Sequence, residues 1–560
     1  MYKIVEEVVP DLKDYLDIPP EGMGDVSITC FEPAKKEGIS PMEYAKRVAS
    51  KLKHDYIDHV DVVGGYVNVF FRKDKVLTYS YKPKLEGKIV LEHTSVNPMK
   101  PWHIGHARNA CLGDTMSRIL RYVGYDVEVQ NYINDVGKQM AMVVWYLSKH
   151  GLDADKKYDH WLGEIYIKAN SLYETDATVK QQVDSTLKLI EQGDNPIAKF
   201  SRNIAEKCLA SQLDTASKFN ISYDFFVWES DVIKSGLFDR VMSDLKSKGL
   251  VRVVEHGEDK GCTVVDIPEA GLKTNYKILV RSNGTATYTA KDLAMELWRF
   301  GYSSIPVCNN SYKHTCSNGE LYTPNADKIV LVISNEQDLQ QKIIKHILRS
   351  IGINNDYIHL SYNTVVLPGG KFSGRSGNWQ GYEADTVLEK AVKKIRDEVR
   401  QKYGSPEKVA EKIAHGAVKF FLAKYNPRKQ IVFDWDKVLS FEGESSVYIQ
   451  YAAVRAKKIM DKADFESKVS SDLDDVEYSL AKHISLFGHI VEDCAKEMSA
   501  SKLAEYLVSL ADRFNRFYEK CPVLTAEESK KHVRLYLVQR TYETLKQGLS
   551  LFGIEIPEFM

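Results

Sequence analysis

The sequence lacks a hydrophobic run long enough to cross a membrane, and it lacks a strong charge of either sign. No stretch approaches the roughly 18 consecutive apolar residues that a spanning helix needs. The first residues, 1–17, carry acids throughout and contain no apolar core of a secretory signal. The formal net charge is -1 over 560 residues, so the whole-molecule field does not indicate a nucleic-acid partner. These absences predict a cytoplasmic protein that does not associate with membranes.

Cysteine is scarce, and its distribution argues against a fold held by disulfides. The eight cysteines are spread over the whole length without a paired framework, which predicts reduced thiols. Segment 301–325 holds Cys308, His314 and Cys316, but their spacing is not that of a CxxC zinc knuckle, and a fourth ligand is not evident. We therefore expect an ordinary surface loop there and no protein-bound metal.

The length and the pattern of apolar residues predict three folding units. With 44% hydrophobic and 27% charged residues, the chain has the composition of a globular protein with ample core. Residues 1–85 read as a small α+β module, and 431–560 as a helical bundle. Between them, 86–430 read as an α/β domain with an insertion at about 140–275, after which we expect the main sheet to resume at Lys277–Val280.

The first chemical motif lies where a strand passes into a helix. A strand at Lys88–Glu92, a loop and a helix at Ile104–Val123 resemble the opening unit of a doubly wound nucleotide-binding sheet. His103-Ile104-Gly105-His106 stands at the helix start, where unpaired N–H groups and the helix dipole attract anions. Two imidazoles one turn apart can donate hydrogen bonds to an ATP phosphate, and Gly105 permits close approach. On four letters alone, a structural histidine pair and a small nucleotidylyltransferase are open alternatives.

A Gly-rich loop supplies the second motif. Lys371-Phe372-Ser373-Gly374-Arg375 lies after the last predicted strand, about 270 residues beyond the first motif. In this order the two resemble the HIGH and KMSKS motifs of class I aminoacyl-tRNA synthetases. That chemistry explains the residue types: an amino-acid carboxylate is already ionised, so its attack on the α-phosphorus needs alignment and charge stabilisation rather than a general base.

The flanking sequences resemble arginyl-tRNA synthetases in particular. LEHTSVNPMKPWHIGHARNACLGDTMSRIL, from Leu91, is similar to that family's pattern, as are QNYINDVGKQ, RSNGTATYTAKDLA, VISNEQDL and IVFDWDKVLSFEGESSVYIQYAAVRA. The resemblance implies a Rossmann-type class I catalytic domain, a small α+β N-terminal domain and an all-α C-terminal anticodon-binding bundle. It also implies ATP-dependent ligation of L-arginine to tRNA(Arg), with Mg²⁺ accompanying ATP, no bound organic cofactor, activation only with tRNA bound, and a monomer.

The same resemblance implies the site residues. A guanidinium has five donors and no acceptor, so its pocket must offer carboxylates. Tyr288 and Asp292, one helical turn apart, would hold the guanidinium with help from Glu92, although Glu92 could instead only orient another ligand. Ser95, Asn97 and Gln337 would meet the amino and carboxylate end of arginine. The residues implied at ATP are His103, Gly105, His106, Lys371 and Ser373, and the catalytic residues implied are Lys100, His103, His106 and Lys371.

The sequence departs from the family motifs in the second loop. Gly374 stands where KMSKS has its second lysine, and Ser376 replaces a further lysine. Arginyl enzymes commonly lack the second lysine, so Lys100, upstream of HIGH, is expected to replace it. A cysteinyl enzyme would need a zinc cluster beside HIGH, which the flanks do not offer, and the intact His103, His106 and Lys371 argue against a non-catalytic relative.

Residues of the helical tail are expected to bind tRNA. Aromatic, basic and amide side chains on helices can stack on bases and bind phosphates, although helix packing is the alternative for each tyrosine. The residues implied are Tyr448, Tyr451, Arg455, Arg513, Phe514, Asn515, Tyr518 and the terminal Met560.

Overall fold

The computed structural model describes residues 1–20, 22–151, 154–267, 275–367, 370–371, 381–403 and 407–560. Most of the predicted loop motif, including Ser373, Gly374, Arg375 and Ser376, lies outside the described residues. For Lys371 the backbone is described and the side chain is not. No described helix combines the length and the apolar character that crossing a bilayer requires.

The N-terminal segment is a small α+β module. Its four strands form an antiparallel sheet in the order β1-β2-β4-β3. The elements, in chain order, are α1 (Tyr2–Val8), a 3₁₀ turn (Pro10–Tyr15), β1 (Leu16–Asp17), β2 (Val26–Thr29), α2 (Phe31–Glu37), α3 (Pro41–Lys51), β3 (Ile57–Val63), β4 (Tyr66–Phe71) and α4 (Lys73–Thr78).

The central segment alternates strands and helices. Its first part contains β5 (Lys88–Glu92), α5 (Ile104–Tyr122), β6 (Asp126–Ile133), α6 (Lys138–His150), α7 (Tyr158–Thr175), α8 (Ala177–Gln192), α9 (Pro196–Lys218), β7 (Phe225–Trp228), α10 (Glu229–Lys234), α11 (Leu237–Ser247), β8 (Arg252–Val253), β9 (Thr263–Asp266) and β10 (Tyr276–Val280). Its second part contains α12 (Tyr288–Arg299), β11 (Ile305–Asn309), β12 (Lys313–Thr315), β13 (Glu320–Tyr322), β14 (Lys328–Ser334), a 3₁₀ turn (Asn335–Gln337), α13 (Asp338–Ser350), β15 (Asp356–Tyr362), β16 (Val365–Leu367), β17 (Gly370–Lys371), α14 (Ala384–Tyr403), α15 (Glu407–Ala423), β18 (Ile431–Val432) and α16 (Trp435–Val438).

The main sheet has eight strands in the order β13-β11-β12-β7-β6-β5-β14-β15. The strands from β12 to β15 run parallel to one another, and β13 runs in the same direction, whereas β11 between β13 and β12 is antiparallel to both. The central strands are buried on both faces: Ile89, Val90 and Leu91 of β5 are each 0% exposed, as expected for a parallel sheet covered by helices. In such sheets ligands bind at the carboxyl ends of the strands.

The structure corrects three sequence-based expectations about this segment. β7 belongs to the main sheet although it lies inside the predicted insertion, because it pairs with β6. The sheet does not resume at Lys277–Val280, since β10 forms a separate three-stranded sheet with β9 and β8. Segment 301–325 is not an ordinary loop: it contributes β11, β12 and β13 to the edge of the main sheet, and Cys308 is disulfide-bonded to Cys316. Contrary to the expectation of reduced thiols, these two cysteines are therefore oxidised, and neither sulfur is a free metal ligand.

The C-terminal segment is helical, with α17 (Ser446–Lys462), α18 (Asp475–Ser485), α19 (Phe487–Glu497), α20 (Ser501–Lys520) and α21 (Glu528–Leu551). It forms one compact unit with the N-terminal module, covering 1–84, 440–550 and 555–560, while 85–439 and 551–554 form the other. Within the first unit, the Tyr478 hydroxyl donates to Asp25 Oδ2 at 2.7 Å, and Lys482 Nζ donates to the Gly24 carbonyl at 2.7 Å. Two segments distant in sequence therefore share one packed unit.

Candidate active site

Four neighbouring parallel strands each bring a polar residue to the carboxyl edge of the main sheet. Glu92 is the last residue of β5, Tyr132 is next to last in β6, Glu229 follows β7 directly, and Gln337 ends the turn after β14. Because these strands run in one direction, their carboxyl ends meet at the same edge. The edge therefore collects two carboxylates, a phenol and an amide from positions far apart in the sequence.

The loop after β5 is held in an unusual backbone conformation by two asparagines. Thr94 and Ser95 have φ values of 71° and 44°, which are costly for residues with a Cβ. The Thr94 N–H donates to Asn109 Oδ1 at 2.6 Å, and the Ser95 N–H donates to Asn131 Oδ1 at 3.1 Å. These bonds compensate the strain and fix the turn that carries Ser95 and Asn97.

The histidine pair caps helix α5 with its own rings. His103 is the N-cap residue, and its Nδ1 accepts the N–H groups of Gly105 at 3.1 Å and His106 at 3.3 Å. His106 Nδ1 in turn accepts the His103 N–H at 3.3 Å, and the Ile104 N–H donates to the Tyr382 carbonyl at 3.0 Å. The expectation that unpaired N–H groups at this helix start attract the phosphate is therefore wrong, because the first backbone donors already have partners.

Both histidine rings are neutral at physiological pH. Burial, reinforced by the nearby Lys100 ammonium, lowers the pKa of His103 to about 3, and burial lowers the pKa of His106 well below its usual value. Burial also lowers the pKa of Lys100. Since Nδ1 of each neutral ring accepts a hydrogen bond, the proton resides on Nε2. The rings stack with centroids 3.5 Å apart, so they present two neutral N–H donors side by side.

A cluster of charged side chains lies at the carboxyl end of β5. Glu92 accepts from Ser95 Oγ at 2.7 Å through Oε1, and its Oε2 accepts from Arg299 Nη2. Arg299 also donates to Glu296 Oε1 at 2.9 Å and to Gln130 Oε1 at 3.0 Å. Glu92 is therefore already paired with an arginine of the protein itself. This pairing favours the alternative in which Glu92 orients another ligand residue instead of binding the substrate guanidinium.

Asp292, the other predicted guanidinium ligand, sits one turn along α12 from Tyr288. Burial raises the pKa of Asp292 to about 6, and repulsion from Glu92 adds to this. The Gln340 amide donates to Asp292 Oδ2 at 3.4 Å and to Thr289 Oγ1 at 2.9 Å. Tyr288, the first residue of α12, is 82% exposed. A partly buried carboxylate beneath an exposed phenol can receive the flat, cationic end of a ligand.

Comparison with known proteins decides the family. The model of the class I (R) tRNA synthetase catalytic domain matches residues 70–304 and 313–435. The arginyl-tRNA synthetase N-terminal domain model matches residues 3–71, and the DALR anticodon-binding domain model matches residues 449–560. Arginine–tRNA ligase of Thermococcus sibiricus is 38% identical, over 97% of this chain and 94% of its own length. The chain belongs to the arginyl-tRNA synthetase family.

Two further relatives cover the whole length. Arginine–tRNA ligase of Pyrococcus furiosus is 35% identical over 100% of this chain and 98% of its own length. The solved structure of Thermus thermophilus arginyl-tRNA synthetase is 32% identical and superimposes with a TM-score of 0.90, over 100% of this chain and 99% of that one. The predicted fold class is confirmed: a class I catalytic domain, an N-terminal domain and a helical C-terminal domain.

In this member of the arginyl-tRNA synthetase family, most of the predicted tRNA-binding side chains form one cluster on α17 and α20. Arg455 donates to Asn515 Oδ1 at 2.8 Å and to the Tyr451 hydroxyl at 3.0 Å. Its guanidinium lies 4.7 Å from the centre of the Tyr451 ring and 4.6 Å from that of Tyr518. Asn515 also donates to the Tyr448 hydroxyl at 2.9 Å. This Tyr–Arg–Tyr cluster is partly exposed, with Tyr451 37% and Tyr518 45% exposed.

The remaining tail residues are placed differently. Arg513 bonds to Ser479 of α18 instead of joining the Tyr–Arg–Tyr cluster. Phe514 is 0% exposed and packs in the core, so the expectation that it stacks on a base is wrong. Met560 is buried, and its carbonyl accepts from Lys458 at 3.3 Å.

Sequence reasoning missed several polar residues around the proposed arginine site of this synthetase. Those on α12, Glu296 and Arg299, follow Asp292 at four and seven positions, a spacing that places all three on one helix face. That periodicity was a usable signal. No such sequence signal existed for Glu229 and Tyr132, because only the pairing of β6 with β7 brings the ends of their strands together.

Proposed function

We propose that this chain joins L-arginine to tRNA(Arg) in two steps at the carboxyl edge of the main sheet. In the first, the arginine carboxylate attacks the α-phosphorus of ATP, which gives arginyl-adenylate and releases diphosphate. In the second, a hydroxyl of the 3′-terminal ribose attacks the carbonyl, which gives arginyl-tRNA and AMP. The observation that carries this is the stacked, neutral His103–His106 pair at the start of α5 together with the acidic residues Glu92 and Asp292, in a chain of the arginyl-tRNA synthetase family.

The residues at ATP act by stabilising charge. Class I synthetases use ATP, which enters as its Mg²⁺ complex because its polyphosphate binds that ion. The Nε2–H groups of His103 and His106 donate to phosphate oxygens, and Gly105 leaves room for the nucleotide. Lys100, a partly buried lysine three residues before His103, supports the negative charge that builds up in the transition state. Lys371 and Ser373, whose side chains lie outside the described part of the chain, are proposed at ATP from family resemblance alone.

Separate sets of residues bind the two ends of the arginine substrate. Asp292 and Tyr288 receive the guanidinium, with Glu92 beside them, while Ser95, Asn97 and Gln337 receive the amino and carboxylate groups. The Asn97 amide donates to Gln139 Oε1 at 2.9 Å, which fixes its orientation and leaves its carbonyl oxygen as an acceptor for an ammonium group.

The helical unit binds tRNA through the Tyr–Arg–Tyr cluster. Exposed tyrosine rings offer stacking surfaces to unpaired bases, and Arg455 between them provides positive charge. We further propose that Arg513 and Met560 support this surface, that the chain is a monomer, and that it acts in the cytoplasm.

The decisive experiment is ATP–diphosphate exchange with each proteinogenic amino acid, with and without tRNA. Exchange should appear with arginine and cognate tRNA, and be negligible without tRNA or with a tRNA of another specificity. His103→Ala should lower the rate by about 10²–10³ while tRNA binding by gel shift is unchanged. Activation of another amino acid faster than arginine would overturn the assignment, and robust exchange without RNA would overturn the tRNA dependence alone.

A further inference from the structure

Arg299 is a buried arginine that the proposed reaction does not use. It ends α12 and is 1% exposed, and its guanidinium donates to Glu92, Glu296 and Gln130, which belong to β5, α12 and β6. Burying a guanidinium is costly unless its donors find acceptors, and here three acceptors from three elements converge on it. Apolar residues of similar volume would fill such a position at no electrostatic cost, so the location of this charge needs an explanation.

The location is next to the proposed guanidinium ligands. Glu92, placed beside them, contacts Arg299 directly, while Asp292 lies on the same face of α12 as Glu296 and Arg299. Burial raises the pKa of Glu296 to about 7, and Arg299 opposes this. Arg299 likewise opposes the effect of burial on Asp292. Without its positive charge, the three neighbouring carboxyl groups would have no arginine to offset their mutual repulsion.

Asp292 is surrounded by groups from five other elements as well as its own helix. Lys291, on α12, also stabilises the ionised form of Asp292. The charged, titratable and amide groups around it are Glu92 (β5), Tyr132 (β6), Glu229 (α10), Lys291, Glu296 and Arg299 (α12), Gln340 (α13) and Tyr357 (β15).

We propose that Arg299 is a positioning residue for arginine recognition. It holds Oε2 of Glu92 in place and offsets the negative charge of Glu92 and Glu296, so that Asp292 meets the substrate guanidinium as a carboxylate. This inference rests on the proposed function. Its consequence is specific to the cationic end of the substrate. Citrulline, the uncharged isostere of arginine, should gain nothing from Arg299, since a urea group carries no charge for Asp292 to bind.

Three variants separate the geometry from the charge. Arg299→Lys keeps the charge and loses the planar fork, Arg299→Met loses both, and Glu296→Gln replaces the neighbouring ionisable carboxyl by an amide with little change in shape. Arg534→Lys is the matched control, because Arg534 donates to the buried Glu477 at 2.6 Å in the other unit. The measurements are the arginine KM, the ATP KM, the inhibition constant of citrulline and the pH profile of kcat/KM, together with the melting temperature of each variant.

Arg299→Lys should raise the arginine KM by about tenfold with the ATP KM and citrulline inhibition close to wild type. Arg299→Met should shift the acid limb of kcat/KM for arginine to higher pH, because it removes a positive charge beside Asp292. Glu296→Gln should leave the limb where it is, because the raised pKa of Glu296, about 7, keeps that side chain largely protonated at the pH of the limb. If Arg299→Met does not fold, the arginine KM of Arg299→Lys still decides.

The proposal is overturned if all variants keep the wild-type arginine KM and pH profile, as Arg534→Lys should. It is also overturned if both KM values rise equally while the pH profile stays fixed, since that is the pattern of a residue that only supports the fold. A wild-type chain that does not charge tRNA with arginine would overturn the proposed function, and this inference with it.

Discussion

Replacing Asp292 by asparagine tests arginine recognition most directly. The change keeps the shape of the side chain and its hydrogen bond from Gln340, 3.4 Å away, but removes the negative charge. A hydrogen bond to a charged group contributes about 1.5–3 kcal/mol, and each 1.4 kcal/mol corresponds to about tenfold in affinity. The arginine KM should therefore rise by about 10- to 150-fold, while the ATP KM stays close to wild type because the proposed ATP donors are on α5.

The same variant should change the pH dependence. The pKa of Asp292 in the folded protein is about 6, so below this pH the carboxyl takes up a proton and loses the charge that pairs with guanidinium. For the wild type, kcat/KM for arginine should fall as the pH drops through about 6, by roughly tenfold per unit. Asp292→Asn should lose this limb. The histidines cannot produce it, since their lowered pKa values keep His103 and His106 neutral over the range.

The assay is tRNA-dependent ATP–diphosphate exchange from about pH 5 to about pH 8.5. Asp239→Asn, at an exposed position in the first turn of α11, controls for the loss of one negative charge. An equal rise in both KM values would refute the recognition argument. An acid limb near pH 6 that persists in Asp292→Asn would assign the titration to another group, such as Glu229 or Glu296, whose pKa values burial raises to about 7.

Three further predictions concern catalysis, stability and oxidation state. Lys100→Ala should lower the activation rate at saturating substrates by about 10²-fold, with partial recovery on adding Gly374→Lys; a near-wild-type rate would contradict the compensation. Asp385→Asn should destabilise the catalytic unit by about 2–3 kcal/mol, measured by denaturant unfolding, because Asp385 binds Lys157, Lys218 and His160 at 2.7, 2.7 and 3.2 Å. Denatured without reductant, the chain should expose six reactive thiols and, after reduction, eight; eight without reductant would contradict the Cys308–Cys316 bond.

The sign of the Asp385 contribution with pH follows from its partners. Burial by itself would raise the pKa of Asp385, but hydrogen bonds from His160, Lys157 and Lys218 hold it well below its usual range. A carboxyl with a lowered folded pKa stabilises the protein above its unfolded pKa, about 4. That stabilisation should be lost as the pH falls toward the folded value, so the difference between wild type and Asp385→Asn should shrink in acid.

Local features of this protein were determined by its sequence. The strand at Lys88–Glu92 and the α5 start at Ile104 follow from apolar runs and from the motif, and the periodicity of α12 places Tyr288 and Asp292 one turn apart. These depend on neighbours within a few positions, which the sequence displays directly. The family likewise follows from ordered motifs, because the chemistry restricts which residues can stand at a strand end or a helix start.

Only the tertiary structure decided which partners these residues have. Glu92 meets Arg299, 207 positions away, since β5 and α12 pack beside one sheet edge. β7 also contributes to that edge, although it lies inside the predicted insertion. The N-terminal module packs with the C-terminal bundle, which is more than half the chain away in sequence. Even at the start of α5, where the motif alone predicts unpaired N–H groups, those of Gly105 and His106 donate to the His103 ring. Such pairings depend on burial and on hydrogen-bond satisfaction in the packed chain, because a buried polar group must find whichever partner the fold brings near it.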